Sequence, residues 1–258
     1  MAKGRIAQLA IMAIFALVFT ALPSRPASAE QNTCTTRANR WAGWQNLYDP
    51  GNKAPRSGVR ANISVYRGAV CNTDQSQNNF STAWVLLRAP LGFPSPVGYV
   101  QGGYFRWYNS AIYTFAEYRV GGQSTFNRFL FTGPAIGSQP DYLVYVASDS
   151  HIYVYAGGSR LLRTPGDYID TLESGFDIGP DFPLQWLSET TYAQSDIPGT
   201  PTQETRYSHM RQGKFNVGWL TGEPDTSINS NPSRWTFTGI SDSGTYGRNY
   251  LSWTYANV

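Results

Sequence analysis

Val59-Arg60-Ala61-Asn62-Ile63-Ser64-Val65-Tyr66 decides the fold class. Val59, Ala61, Ile63 and Val65 fall on one face of an extended chain, and Arg60, Asn62 and Ser64 fall on the other. Strict alternation of this kind is the mark of a strand with one buried face. Working outward, short runs rich in Val, Ile, Tyr, Phe and Trp recur between clusters of Gly, Pro, Asn and Ser. Ala83 to Leu87, Gly98 to Tyr108, Ile112 to Val120, Phe126 to Phe131, Tyr142 to Ala147 and Ile152 to Tyr155 are strand candidates, as are Leu184 to Thr191, Phe215 to Leu220, Trp235 to Ile240 and Tyr250 to Tyr255. Ser148-Asp149-Ser150-His151 predicts a hairpin turn with His151 exposed at its tip. Thr221 to Ser233 is polar, contains Gly and Pro, and predicts a surface loop. No apolar stripe of helical period exceeds about two turns beyond the N-terminal segment. Ten or more short strands and almost no helix predict an all-β chain. The expected architecture is a two-sheet antiparallel β-sandwich, of concanavalin-like or jelly-roll type, with one concave groove.

The N-terminus has a different pattern. Met-Ala-Lys-Gly-Arg is followed by an apolar run from Ile6 to about Leu22 and then by Ala27-Ser28-Ala29. A basic start, an apolar middle and a small-x-small end predict a signal peptide over 1–29, cleaved after Ala29, and hence a secreted, extracellular domain over 30–258. A retained membrane anchor is the alternative, and the run is short for a bilayer span. The chain carries 20 Lys+Arg against 17 Asp+Glu. Lys3, Arg5 and Arg25 precede the cut and no acid does, so the expected mature domain balances 17 against 17. The excess basicity belongs to the export segment. No basic stripe is left to suggest nucleic acid or an anionic membrane as partner. Cys34 and Cys71 are expected to pair in an oxidising compartment. A two-cysteine metal site would need further ligands, and His151 and His209 stand in no ligand-like spacing. No metal or other cofactor is expected.

Chemistry must be sought outside the common motifs. There is no Gly-x-Ser-x-Gly elbow, no His-Glu-x-x-His and no phosphate-binding glycine loop. Two glutamine- and glutamate-bearing strands are more suggestive. Gln101 lies in Tyr99-Val100-Gln101-Gly102-Gly103, where glycines leave room for a close approach. Alternation puts it on one face with Tyr99, Gly103, Phe105 and Trp107. Glu189 lies in Leu184-Gln185-Trp186-Leu187-Ser188-Glu189. It shares a face with Gln185 and Leu187, while Trp186 turns to the other. A solvent-facing Glu near a strand end is the plainer alternative.

Arg40-Trp41-Ala42-Gly43, Ala83-Trp84-Val85, Val100-Gln101-Gly102-Gly103 and Gln185-Trp186-Leu187-Ser188-Glu189, in that order, resemble the fungal and bacterial glutamic peptidases, the eqolisins. That family has an early Asn-Trp-Ala-Gly segment and a Trp-Val-Gly-Ile-Asp-Gly strand. A strand with the catalytic Gln follows, and later a Glu-Trp-Ile-Val-Glu strand with the catalytic Glu. Phe115-Ala116-Glu117-Tyr118 is similar to an aromatic-Glu-aromatic run of the family. Arg40 stands in place of the Asn, Leu86-Leu87-Arg88-Ala89 in place of Gly-Ile-Asp-Gly, and Gln185 in place of the first Glu. The resemblance spans roughly Arg40 to Met210. It implies a sandwich with a concave substrate groove, Gln101 and Glu189 as catalytic residues, and Trp41, Trp84, Phe105, Trp107 and Glu117 as substrate-binding residues. It also implies peptide hydrolysis at acid pH, provided that Gln101 and Glu189 point into one groove within reach of a bridging water. The chain further resembles a set of secreted bacterial β-sandwich proteins, which implies no activity.

Three functions fit these residues: a peptidase-like hydrolase, a non-catalytic carbohydrate- or cell-wall-binding module, and a structural surface protein. The abundant Trp and Tyr suit sugar stacking, but they are also common in all-β cores. The expected partner is a polypeptide substrate or an extracellular glycan, with no nucleic acid and no membrane after cleavage, and the domain is expected to act as a monomer. Asn62-Ile63-Ser64 and Asn79-Phe80-Ser81 fit the glycosylation pattern.

Overall fold

In the computed structural model the alternating stretch forms β2 (Arg56–Ile63), in which Val59, Ala61 and Ile63 are fully buried. The structure describes residues 34, 37–46, 56–72, 79–88, 98–165, 183–192, 194–200, 202–214, 218–221, 226–230, 235–242 and 248–254. The expected signal peptide, 1–29, lies outside the described residues. The strands in chain order begin with β1 (Arg37–Asn46), β2, β3 (Phe80–Arg88), β4 (Tyr99–Trp107), β5 (Tyr113–Arg119), β6 (Asn127–Thr132), β7 (Asp141–Val146) and β8 (Ile152–Ala156). They continue with β9 (Ser159–Arg163), β10 (Leu184–Tyr192), β11 (Thr205–Lys214), β12 (Gly218–Thr221), β13 (Thr226–Asn229), β14 (Trp235–Asp242) and β15 (Arg248–Thr254). No helix occurs among the described residues.

Two antiparallel sheets stack as a sandwich. One runs β13-β1-β10-β3-β4-β5-β6; the other runs β14-β15-β11-β2-β7-β8-β9, with β12 pairing β11. Between them lies a dry core. Val85, Leu87, Val100, Ala116, Leu184 and Trp186 of the first sheet meet Val59, Ala61, Ile63, Val144, Val154 and Tyr207 of the second. Trp186 is turned inward as its alternation requires, and its indole donates to the Arg60 carbonyl at 3.1 Å. Gly102 belongs to this layer: a Cβ there would lie 2.4 Å from Val154 Cγ1, so the glycine lets the sheets approach. Gly103 faces the other way, and a Cβ there would meet the Trp84 Cβ at 2.8 Å. Both glycines serve strand packing.

The middle of the first sheet is buried on both faces, while β6 at its edge is largely exposed. In β3 and β4 only the end residues reach solvent. On the side away from the core, Trp84, Leu86, Phe105, Phe115 and Leu187 form a second apolar cluster. This cluster is the bed of the outer, concave face.

Cys34 and Cys71 form the expected disulfide, and Ser195 and Asn79 hydrogen-bond around it. Such a crosslink stabilises by about 3 kcal/mol, chiefly through the unfolded chain.

Several expectations need correction. The polar segment Thr221 to Ser233 contains β13, which pairs with β1 at Gly43↔Ile228 and Trp44↔Ser227. Residues 215–217 of the expected Phe215 to Leu220 strand lie outside the described residues, and β12 begins at Gly218. β1, β9 and β11 were not anticipated as strands. His151 does follow the β7–β8 turn, but it is buried, its Nδ1 2.6 Å from the Thr164 carbonyl oxygen. Thr164 extends the β8–β9 pairing opposite Ile152 and meets the ring, which a local turn pattern does not reveal. Asn79 is fully buried against Cys71 and Ser195, so this acceptor is closed in the folded protein, whereas Asn62 is half-buried.

Candidate active site

The concave face is organised by register. One row across the sheet reads Trp41, Glu189, Thr82, Phe105, Tyr113. The next reads Gly43, Leu187, Trp84, Gly103, Phe115. The third reads Gln45, Gln185, Leu86, Gln101, Glu117, Arg128. Residues paired directly across antiparallel strands point the same way. The topology therefore gathers every one of these side chains on one side. Above them opens a cavity of about 660 Å³.

Gln101 and Glu189 both line this cavity, as do Trp41, Trp84 and Glu117. Phe105 and Trp107 do not. Phe105 is 2% exposed and packs edge-on against Trp107 and Phe115, with ring centroids 4.7 and 5.5 Å away. The two rings expected to touch substrate pack within this aromatic cluster, and the Arg128 guanidinium lies over the Phe105 ring. The sequence reading also left out Tyr99 and Arg128 as site residues. Tyr99 was already visible on the Gln101 face by alternation. Arg128 could be found only by knowing that β6 pairs with β5.

Glu117 is densely bonded. Gln101 Nε2 donates to its Oε1 at 2.9 Å, the Tyr99 hydroxyl donates to the same oxygen, and Arg128 Nε approaches Oε2 at 2.5 Å. Glu117 is 2% exposed, so its charge is held by the buried side of the Arg128 guanidinium rather than by water. These contacts fix the Gln101 amide. One N–H is committed to Glu117, and the second N–H and the carbonyl oxygen remain as a donor and an acceptor for a ligand.

Glu189 is held differently. The Trp84 indole donates to its Oε2 at 3.2 Å, and the Trp41 indole adds a second hydrogen bond. Burial pushes its carboxyl up to about 7, with the Glu117 charge adding to the rise, while the indoles and Arg128 oppose it. A carboxyl that gains and loses its proton near neutrality can act as base or acid.

Gln101 and Glu189 do not bond to each other. By register their Cα atoms are two strands and four residues apart, roughly 10 Å across and 13 Å along a flat sheet. The Trp84–Gly103 row lies between them; Glu189 is bonded to the Trp84 indole, and the Gln101 amide to Glu117. Among the described residues no group of three or more His, Cys, Asp or Glu side chains could hold a metal.

No protein-family model matches this chain, and no curated protein matches it. Among solved structures it is similar to scytalido-glutamic peptidase bound to a peptide-based transition-state analogue. The identity is 12%, the TM-score 0.49, and the match covers 86% of this chain and 100% of that one. It is similar also to SCP-B, a member of the eqolisin family of peptidases in complex with the tripeptide Ala-Ile-His. There the identity is 11% and the TM-score 0.48, with the same coverage. A third is the laminarinase catalytic domain of Thermotoga maritima, at 12% identity and TM-score 0.39, covering 67% of this chain and 73% of that one. The likeness to glutamic peptidases is distant, and the β-sandwich and its cavity stand on the chain's own strands and side chains.

Proposed function

We propose that this protein is an exported hydrolase that cleaves peptide bonds in the concave cavity, with Glu189 moving the proton and Gln101 binding the oxyanion. One observation carries the reading: Gln101 and a desolvated Glu189 line the same cavity from opposite sides of the Trp84 ring. Ionised Glu189 takes a proton from water, and the water oxygen bonds to the scissile carbonyl carbon. The remaining N–H of Gln101 donates to the oxyanion, a contact typically worth about 3 kcal/mol of barrier. Glu189 then returns the proton to the amine nitrogen as the C–N bond breaks. Glu117 positions Gln101 throughout.

The acid range implied by the family resemblance shifts toward neutral on this reading. A base must be ionised, and Glu189 is ionised only as pH rises through about 7. Burial of the carboxyl is the physical reason.

The glycan-binding alternative calls for exposed flat rings with Glu189 turned elsewhere. Half-buried Tyr145, Tyr153 and Tyr155 do form a row of rings on the second sheet, but Glu189 faces the cavity, where Trp84, Phe105 and Phe115 are buried. Two carboxylates in one cavity also suggest glycoside hydrolysis. Glu117, however, already accepts from Tyr99, Gln101 and Arg128, which leaves it poorly placed as a nucleophile.

The test uses the protein from Glu30 onward with denatured protein substrates over pH 2 to 9, the fragments identified by mass spectrometry. Cleavage that disappears in Glu189→Gln and in Gln101→Ala, both folded, is the expected result. A folded wild type that cleaves nothing would remove the peptidase reading and make glycan screening the next step.

A further inference from the structure

The cavity has a charged end that proton transfer does not use. Arg88, Tyr99 and Arg119 stand in register across β3, β4 and β5, and all three line the cavity. The Arg119 guanidinium carbon lies 4.8 Å over the Tyr99 ring, so the cation is steered toward this row. Across the described lining there are four arginines, Arg37, Arg88, Arg119 and Arg128, against Glu117 and Glu189. Arg128 is paired with Glu117. Arg88 and Arg119, flanking Tyr99 in one row of the cavity, add positive potential there and offer forked donors that match a carboxylate.

We propose that this end is a specificity subsite for a substrate carboxylate, supplied by an Asp or Glu side chain or by a free C-terminus. The inference rests on the peptide reading of the cavity and names its substrate class. Arg88 lies two residues along β3 from Leu86, the partner of Gln101, which is about 7 Å. An extended substrate advances by a similar rise per residue. The recognised carboxylate therefore falls about two to four residues from the scissile bond, on one side only.

The test is binding to the Glu189→Gln protein of three fluorescent peptides of one sequence. The first has an internal Glu and an amidated C-terminus, the second an internal Gln and an amidated C-terminus, and the third an internal Gln and a free C-terminus. At least tenfold tighter binding of one carboxylate-bearing peptide over the amidated Gln peptide is expected. The preference should fall to within twofold in Arg88→Gln/Arg119→Gln and persist in Arg88→Lys/Arg119→Lys, which keeps the charge. Preference for the first peptide assigns the side chain, and preference for the third assigns the terminus. Should the double variant misfold, the single Arg88→Gln and Arg119→Gln variants carry the test, each expected to lose part of the preference. Equal affinity for all three peptides, or a preference that survives loss of both arginines, would overturn the subsite, while cleavage by the wild type would leave the hydrolase standing. Binding of polygalacturonate with no binding of any peptide, and no cleavage, would overturn both.

Discussion

The two walls of the cavity each carry a glutamate, and the two are treated in opposite ways. On the β4–β5–β6 wall, Glu117 accepts from Tyr99, Gln101 and Arg128. On the β10 wall, Glu189 accepts from two indole N–H groups among the described residues, and burial raises its carboxyl to about 7. A buried carboxylate with a cation and two further donors is a structural anion whose removal strands its partners. One with neutral donors alone is free to exchange its proton. On the proposed reading, the difference marks Glu189 as the carboxylate that reacts and Glu117 as the one that orients its neighbour.

The comparison breaks most visibly if the roles are exchanged by mutation. Glu189→Gln should lower the rate of cleavage by about 10²–10⁴-fold with little change in folding, read from kcat and a thermal melt. Glu117→Ala should instead lower stability by about 3–5 kcal/mol in denaturant titration, because the Arg128 charge loses its buried partner. If both substitutions affected rate alone, the division of labour would be wrong.

A third effect is pH-linked. Unfolded, the Glu189 carboxyl ionises near 4.5; folded, it does so at about 7. The folded state therefore holds an extra proton between these values, and its stabilising contribution is complete below 4.5 and lost as pH rises through 7. The loss is at most about 3 kcal/mol, and smaller for the solvent that reaches the carboxyl. Denaturant titrations at pH 5 and pH 8 should show this loss in wild type and not in Glu189→Gln. The smallest effect should come from Trp84→Phe. It removes one indole donor to Glu189 and leaves most of the ring area, costing about 1 kcal/mol and raising the pH at which Glu189 titrates.

Much of the fold was legible because it is written in local alternation. Val59 to Ile63, the inward Trp186 and the shared face of Tyr99, Gln101 and Gly103 all follow from period two. Gln101 and Glu189 were found through alternation together with short motifs. What escaped depends on pairings distant in sequence. Arg128 acquires its role only through the Glu117↔Arg128 register. β13 is too polar to announce itself, and becomes a strand because β1 offers it an edge. His151 is buried by Thr164, thirteen residues onward. Phe105 lies on the predicted face, yet Arg128 from distant β6 covers its ring and Trp107 packs edge-on against it.

The most direct measurement is the pH profile of kcat/KM for peptide cleavage by wild type and Glu189→Gln. The account predicts a wild-type rate that rises through an inflection near pH 7, and no comparable activity in the variant at any pH. A variant that cleaves as well as wild type, or a wild-type rate that does not change across the range in which Glu189 titrates, would contradict it.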